Sequence, residues 1–296
     1  MNHNSEVPDS TQTSKSANGN SDQRPSSDTS QSDSWNDNRI IVHVDLNSFY
    51  PSCEELRLPL LVGKPHAVIM THEEQGRITK GVVASCSYEA KKLGVKSAMP
   101  LTEALKACPD LFLNRVDIPY YATISEKVMN ILYDCSDILE QTSIDEAFLD
   151  CSGKIHALGV HKDKAIDVAD SGLGLGPLKR EHDPVRNLSY SYLIEDFANS
   201  IKNKIKLECG LLTSVGVAPT KSLGKIASDF RKPDGLTIVP PAVVPNFLEN
   251  LEVERISGIG SITKQSLKQM GIETIGQLAR TDVQTLVHRF GNKYGI

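Results

Sequence analysis

The stretch IIVHVDLNSFY, residues 40–50, begins the folded part of the chain and places an acid at the end of an apolar run. Its residues 40–44 are β-branched and apolar apart from one histidine, which is typical of a buried strand. The strand ends at Asp45, and the aromatic pair Phe49 and Tyr50 follows. A carboxylate there costs free energy unless cations or hydrogen-bond donors surround it. Asp45 is therefore the first candidate functional residue.

A second acidic pair, Asp145 and Glu146, interrupts the apolar segment 138–150, whose pattern indicates a hairpin. Carboxylate oxygens are the ligands that Mg²⁺ prefers. Because neighbouring residues of a strand point to opposite faces, these two carboxylates can share a site only at a turn or a twisted edge. On the residues alone, a solvated Asp-Glu turn is as good an interpretation as a metal site.

Ser85, Tyr88 and Lys91 recur at intervals of three, which predicts one helix face carrying a hydroxyl, a phenol and an ammonium. Such a group suits a phosphate chain, although an ordinary amphipathic helix start explains the spacing equally well. The polar stretch 71–80 before it is predicted to be a loop. A later basic cluster that contains Lys225 is either a solvated face or a further phosphate contact.

Residues 256–260 read Ile-Ser-Gly-Ile-Gly and precede a helical run to Met270. The spacing is similar to a helix-hairpin-helix motif, in which backbone N–H groups at a helix start bind a DNA phosphate. Gly258 and Gly260 would let the backbone approach closely, since a side chain would block it. A plain packing corner between helices is the alternative.

Composition excludes several protein classes. The chain has 296 residues, of which 39% are hydrophobic and 23% charged, as expected for a globular protein of two or more domains. No apolar run approaches the about 20 residues of a membrane span. The six cysteines form no Cys-x-x-Cys pair, so we predict reduced thiols and no zinc site. Most of the net charge of -5 lies in residues 1–38, which we predict to be a disordered tail.

Five motifs occur in an order that resembles the Y-family DNA polymerases. Each motif alone can be explained as an ordinary structural feature, but coincidence does not explain all five in this order. The resemblance covers residues 39–296, apart from 153–190, which match no motif and are predicted to be an insertion. The matching segments are residues 43–54, 81–95, 143–150, 214–235 and 256–272.

The resemblance implies an α/β fold of the α+β kind. A ferredoxin-like palm with helices on one face would carry inserted fingers, and a small helical thumb with the helix-hairpin-helix motif would follow. Because the chain stops at Ile296, the family's basic little-finger domain is expected to be absent and DNA binding to be weak. The expected bounds are 39–48 and 117–232 for the palm, 49–116 for the fingers and 233–296 for the thumb.

The resemblance also implies residue roles. Asp45, Asp145 and Glu146 would be the catalytic carboxylates and would hold two Mg²⁺ ions, with the Leu46 carbonyl as a further ligand. Such ions lower the pKa of a primer 3′-hydroxyl and neutralise departing pyrophosphate. Tyr50 would be the steric gate that stacks under the deoxyribose and rejects a 2′-hydroxyl. The other residues expected to bind the incoming dNTP are Phe49, Ser85, Tyr88, Lys91 and Lys225.

Two positions depart from the family pattern. Lys91 stands where arginine is usual, so it keeps the charge but loses the two-pronged contact with phosphate. Asn47 stands where aspartate is frequent, which removes one nonessential acidic group.

The implied function is template-directed DNA synthesis of the low-fidelity translesion type during bypass of damaged bases. Expected partners are a primed DNA template, held partly by Gly258 and Gly260, and dNTPs, with a sliding clamp as a further candidate. We expect a cytoplasmic monomer without membrane contact. Two alternatives stay open, namely a catalytically weak DNA-binding remnant and a palm-fold nucleotidyl cyclase. Tyr50 and the thumb motif argue against the cyclase, which needs neither a sugar gate nor a grip on duplex DNA.

Overall fold

The computed structural model describes residues 35, 39–74, 77–159 and 184–291, with the backbone alone for 72–74, 77–80 and 184–189. The strands are β1 Ile41–Leu46, β2 His66–Glu74, β3 Arg77–Cys86, β4 Phe112–Arg115, β5 Ile138–Gln141, β6 Glu146–Asp150, β7 Thr213–Ala218 and β8 Leu236–Ile238. The helices are α1 Phe49–Arg57, α2 Tyr88–Lys92, α3 Leu101–Ala107, α4 Ile118–Asp134, α5 152–159, α6 Pro184–Cys209, α7 Lys221–Phe230, α8 Val244–Glu249, α9 Ser261–Gln269, α10 Ile275–Ala279 and α11 Val283–Phe290.

A five-stranded sheet of order β5-β6-β1-β7-β8 forms the palm. β1 pairs antiparallel with both β6 and β7, and β7 pairs parallel with β8. Every residue of β1 and of β7 is buried, as expected for central strands that are covered on both faces. Because β8 joins this sheet, the palm extends to Ile238, beyond the expected boundary at residue 232.

Helices cover both faces of the palm sheet, so the expectation of helices on one face was wrong. α4 and α6 share a core with Val42 and Val44 on one face of β1. α7 packs on the opposite face, where a Cβ at Gly216 of β7 would lie 2.1 Å from the carbonyl oxygen of Gly224. The missing side chain at Gly216 therefore lets the backbone of α7 approach the sheet closely.

A three-stranded sheet of order β3-β2-β4 forms the fingers together with α2 and α3, and it has its own apolar core. β2 and β3 remain paired as far as Glu74 and Arg77, so the predicted loop at 71–80 was wrong. A paired two-stranded ribbon satisfies its backbone hydrogen bonds internally. Its pairing can therefore continue past the apolar residues that indicate a strand in the sequence.

The segment after Ile238 is helical, in agreement with the expected thumb. Its small core contains Val253, Leu267 and Ile272. Thr274 caps the start of α10. Its side chain accepts the backbone N–H of Gln277, and the Gln277 side-chain oxygen accepts the backbone N–H of Thr274. Across the described ranges, no helix has the length and apolar content that a membrane crossing requires.

Two predictions about single residue types can be compared with burial. All six cysteines are free, and four of them are buried, as predicted for reduced apolar groups. Trp35 is 3% exposed and packs in the palm core, although it belongs to the segment 1–38 predicted to be a disordered tail. The rest of that segment, and residues 160–183 of the predicted insertion, lie outside the described residues.

We expect Gly216→Ala to lower the free energy of unfolding by about 3 kcal/mol, because its Cβ would overlap the backbone of α7. Gly224→Ala is the matched control on the other side of the same contact. Its Cβ would meet His43 Cβ at an ordinary 3.4 Å, and alanine favours a helix over glycine by about 1 kcal/mol. Equilibrium denaturation followed by circular dichroism measures both variants. Wild-type stability of Gly216→Ala would contradict this packing.

Candidate active site

Two carboxylates face each other across β1 and β6. Asp45 and Glu146 are Cα partners in the antiparallel register, so their side chains lie on one face of the sheet. Asp145 lies in the bend that precedes β6, and its carbonyl oxygen accepts the Leu46 N–H at 2.9 Å. Ser143 Oγ donates to Asp145 Oδ1 at 2.6 Å. Asp145 and Glu146 thus lie at a turn, the arrangement in which two adjacent acids can share a site. The three predicted carboxylates lie at one end of β1.

Two lysines from α7 and the residues after it pair with these acids. The Nζ of Lys225 lies 2.7 Å from both carboxylate oxygens of Glu146. The Nζ of Lys232 lies 2.7 Å from Asp45 Oδ2 and 2.5 Å from Asp229 Oδ1. The close packing of α7 on the sheet therefore supplies positive charge to the buried Asp45 and the half-buried Glu146.

The pKa values of the two facing acids shift in opposite directions. Burial raises the pKa of Asp45 to about 7, against the opposing effect of the Lys232 ammonium. Burial also acts to raise the pKa of Glu146, but hydrogen bonds from Lys225 and with Asp45 outweigh it and leave this pKa below its ordinary value. Lys232 thus does not fully offset the effect of burial on the pKa of Asp45. Further positive charge close to this carboxylate would therefore be favourable.

Asn47 and Lys202 hold the turn that follows Lys232. The Asn47 side-chain oxygen accepts the Asp234 N–H at 2.6 Å, and its Nδ2 donates to Ser214 Oγ at 2.9 Å. The Nζ of Lys202 donates to Oδ1 and to the main-chain oxygen of Asp234, at 2.7 and 2.8 Å. Asn47 thus uses a donor that an aspartate lacks, so this departure from the family pattern does more than remove an acid.

Phe49 and Tyr50 begin α1 directly after the acidic strand end. Ser48 between them and β1 has a φ of 43°, which turns the chain sharply into the helix. Phe49 is 2% exposed and packs in the palm core, whereas Tyr50 is half-buried. Burial raises the pKa of Tyr50, and the Asp145 carboxylate acts in the same direction. The aromatic pair therefore divides into a core residue and a residue beside the acids.

Two of the predicted phosphate-binding residues in the fingers lie together near the palm. The Nζ of Lys91 donates to Ser48 Oγ at 2.8 Å and lies 4.4 Å from the centre of the Tyr88 ring. Burial raises the pKa of Tyr88, and Asp45 contributes in the same direction, so the phenol lies within electrostatic reach of the acids.

Ser85 does not share a helix face with these residues, so that interpretation was wrong. It lies on β3, paired with Val68 of β2. The helix begins only at Tyr88, after Ser87 has capped it by accepting the Ala90 N–H. The interval of three residues therefore spans a strand end, a cap and a helix.

Gly258 and Gly260 form an open turn before α9. The φ of Gly258 is +97°, in the left-handed region that favours glycine. A Cβ on either residue would meet no heavy atom of the described part of the chain within 4 Å, beyond its chain neighbours. The backbone at the start of α9 is thus accessible, and the DNA contact at this turn stays a prediction.

The acids suit a hard divalent cation by the chemistry of their donors. Asp45, Asp145 and Glu146 offer carboxylate oxygens, which Mg²⁺ prefers. Within residues that the structure describes, no group of three acidic, histidine or cysteine side chains is arranged as a finished metal cluster. Lys225 and Lys232 occupy oxygens of two of these acids. The donor set fits Mg²⁺, provided that these ammonium groups move.

Sequence reasoning missed Lys232 as the partner of Asp45. The sequence places this residue in a general basic cluster, and its only distinctive signal is the Lys-Pro-Asp-Gly segment 232–235. The pair joins residues 187 positions apart, so no local pattern could indicate it.

Comparisons with known proteins show the family of the chain. Residues 44–229 match the impB/mucB/samB family. The DNA polymerase IV of Methanoculleus marisnigri is 42% identical over 255 residues, which cover 86% of this chain and 60% of that protein. The DNA polymerase IV of Nitrosopumilus maritimus is 38% identical, with 87% and 62% covered. The chain therefore spans about three fifths of the length of these relatives.

Solved structures show the same relationship. The insertion ternary complex of the Dbh DNA polymerase has a TM-score of 0.70 and 30% identity, covering 86% of this chain and 64% of that one. DinB from Sulfolobus solfataricus has a TM-score of 0.67 at the same identity, with the same coverage of both chains. On the family match and these relatives, the chain belongs to the impB/mucB/samB family of Y-family DNA polymerases.

Proposed function

We propose that this chain adds dNTPs to the 3′ end of a primer on a DNA template, as a low-fidelity translesion DNA polymerase. The observation that carries the proposal is the facing pair Asp45 and Glu146 on adjacent palm strands, with Asp145 in the neighbouring bend. Relatives named DNA polymerase IV support the same activity. Because the chain spans only part of those relatives, activity of the 296-residue chain itself is the point to test.

Asp45, Asp145 and Glu146 would hold two Mg²⁺ ions, with the Leu46 carbonyl as a further ligand. When bound, the ions would supply an activated primer 3′-hydroxyl and would neutralise the pyrophosphate that leaves. Lys225 and Lys232 are placed to exchange their carboxylate partners for phosphate oxygens of the nucleotide, since an ammonium binds either anion.

The remaining site residues would bind the nucleotide from the fingers and from α1. Lys91 and Tyr88 present a cation and a phenol near Asp45, which suits the triphosphate. Ser85 would add a hydroxyl from β3, and Tyr50 would contact the sugar. Phe49 would support Tyr50 from the core, because its own ring is buried.

Primed DNA is the proposed macromolecular substrate, with the turn of Gly258 and Gly260 binding a backbone phosphate. A ternary complex has been solved for the Dbh polymerase, which is 30% identical to this chain. Damage bypass, clamp recruitment, a monomeric state and a cytoplasmic location remain proposals from the resemblance. The comparisons do not favour the two alternatives, the DNA-binding remnant and the nucleotidyl cyclase.

We expect Asp45→Asn and Glu146→Gln each to reduce Mg²⁺-dependent primer extension by more than about 100-fold, because losing a metal ligand should cost more than losing a residue that only supports one. Both changes keep the shape of the side chain, so the fold should persist. Glu140→Gln, which removes an exposed acid of β5, is the matched control and should retain wild-type extension. Extension by the 296-residue chain on a primed template, with single dNTPs, measures all three. Near-normal extension by Asp45→Asn would refute the assigned role.

Tyr50→Ala should raise incorporation of ribonucleotides relative to dNTPs by about 10- to 200-fold, the range for discrimination by the shape of a pocket. The physical reason is that the missing ring leaves space for a 2′-hydroxyl. The measurement is kcat/KM for a matched pair, such as CTP and dCTP, opposite template dG. An unchanged ratio in an active variant would mean that Tyr50 does not select the sugar.

A further inference from the structure

A second tyrosine, Tyr121 of α4, lies directly behind Tyr50. The two rings are stacked, with centroids 4.6 Å apart and planes inclined by 18°. Tyr121 is fully buried, whereas Tyr50 is half-buried beside Asp145. One face of the Tyr50 ring is therefore covered by a residue that the assigned roles do not include.

Tyr121 is held rigidly in its place. Its hydroxyl donates to Glu54 Oε1 at 2.7 Å, and the Glu54 side chain is 2% exposed. Arg57 Nη2 donates to the same oxygen at 2.6 Å, and Arg57 Nη1 binds Asp117 Oδ2 at 2.9 Å. Burial and the hydrogen bond to Glu54 raise the pKa of Tyr121, so its hydroxyl stays protonated and continues to donate.

The hydrogen bonds join two helices around this ring. Glu54 and Arg57 belong to α1, the helix that also carries Tyr50, and Asp117 caps the start of α4. The Phe49 ring packs edge-on against the Tyr121 ring, with the two centroids 6.4 Å apart. Because Tyr121 is packed on its other sides and hydrogen-bonded at its tip, the Tyr50 ring cannot retreat toward α4.

We propose that Tyr121 is a positioning residue for sugar selection, which fixes how far the Tyr50 ring projects toward the nucleotide. This inference rests on the proposed function and adds a specificity-determining residue to it. Tyr121 acts through Tyr50 and touches no substrate itself. Its planar ring, rather than its volume alone, carries the effect.

The test compares kcat/KM for dCTP and CTP in the 296-residue chain and its variants. Tyr121→Leu should raise relative ribonucleotide incorporation about tenfold or more, since small displacements of a positioning group change rates by one to two orders of magnitude. Tyr121→Phe retains the stacked ring and should restore a ratio within about twofold of wild type. Tyr121→Met replaces the leucine variant if that variant does not fold, because its flexible chain fills the space without a planar surface.

Tyr120→Leu is the matched control on the same helix. Its hydroxyl donates to the Cys53 carbonyl oxygen at 3.2 Å, and its ring lies 4.6 Å from the guanidinium of Arg57. Tyr120 is half-buried, so the variant loses a neighbouring ring of the same helix and should keep the wild-type sugar ratio. If Tyr120→Leu and Tyr121→Leu change the ratio equally, the effect is general loosening and the proposal fails.

A double variant separates positioning from a direct role. In the Tyr50→Ala background, Tyr121→Leu should cause no further change in the ratio, because the ring that it positions is gone. Additive effects would overturn the proposal, as would a wild-type ratio in folded Tyr121→Leu or Tyr121→Met. Failure of the wild-type chain to extend any primer would instead overturn the proposed function, and this inference with it.

Discussion

β1 is hydrogen-bonded on both sides, to β6 and to β7, and this double pairing sets the position of every acid in the site. The register with β6 puts Asp45 opposite Glu146, and the hydrogen bond from Leu46 to the Asp145 carbonyl fixes the preceding bend. A one-residue slip would turn one acid to the other face of the sheet. Chemistry that needs several carboxylates together therefore depends on strand register before it depends on any side-chain contact.

Concentrating buried acids requires compensating charge, and the fold supplies it through α7. The absence of a side chain at Gly216 lets that helix lie close to the sheet, so Lys225 reaches Glu146 and the following turn brings Lys232 to Asp45. Glycine packing and acid neutralisation are thus two parts of one arrangement, and its two ammonium groups are the proposed partners of a triphosphate.

Sequence information was sufficient where a signal is local. The buried strand predicted from the apolar run at 40–44 forms as β1, whose β-branched residues are all buried. The acids Asp45, Asp145 and Glu146 could be assembled from the order of their motifs. Ser85 was misplaced because an interval of three does not distinguish a helix from a strand followed by a cap. The Lys232–Asp45 pair and the stack behind Tyr50 depend on tertiary packing between distant segments, which periodicity does not encode.

We infer that these three acids form a divalent-cation site once substrates are bound. The most direct measurement is anomalous diffraction from crystals of the 296-residue chain with Mn²⁺, primed DNA and a nonreactive dNTP analogue. We expect metal peaks about 2.1 Å from oxygens of Asp45, Asp145 and Glu146, with Lys232 moved away from Asp45. A bound analogue with no metal on these acids, and with both lysine pairs intact, would contradict it.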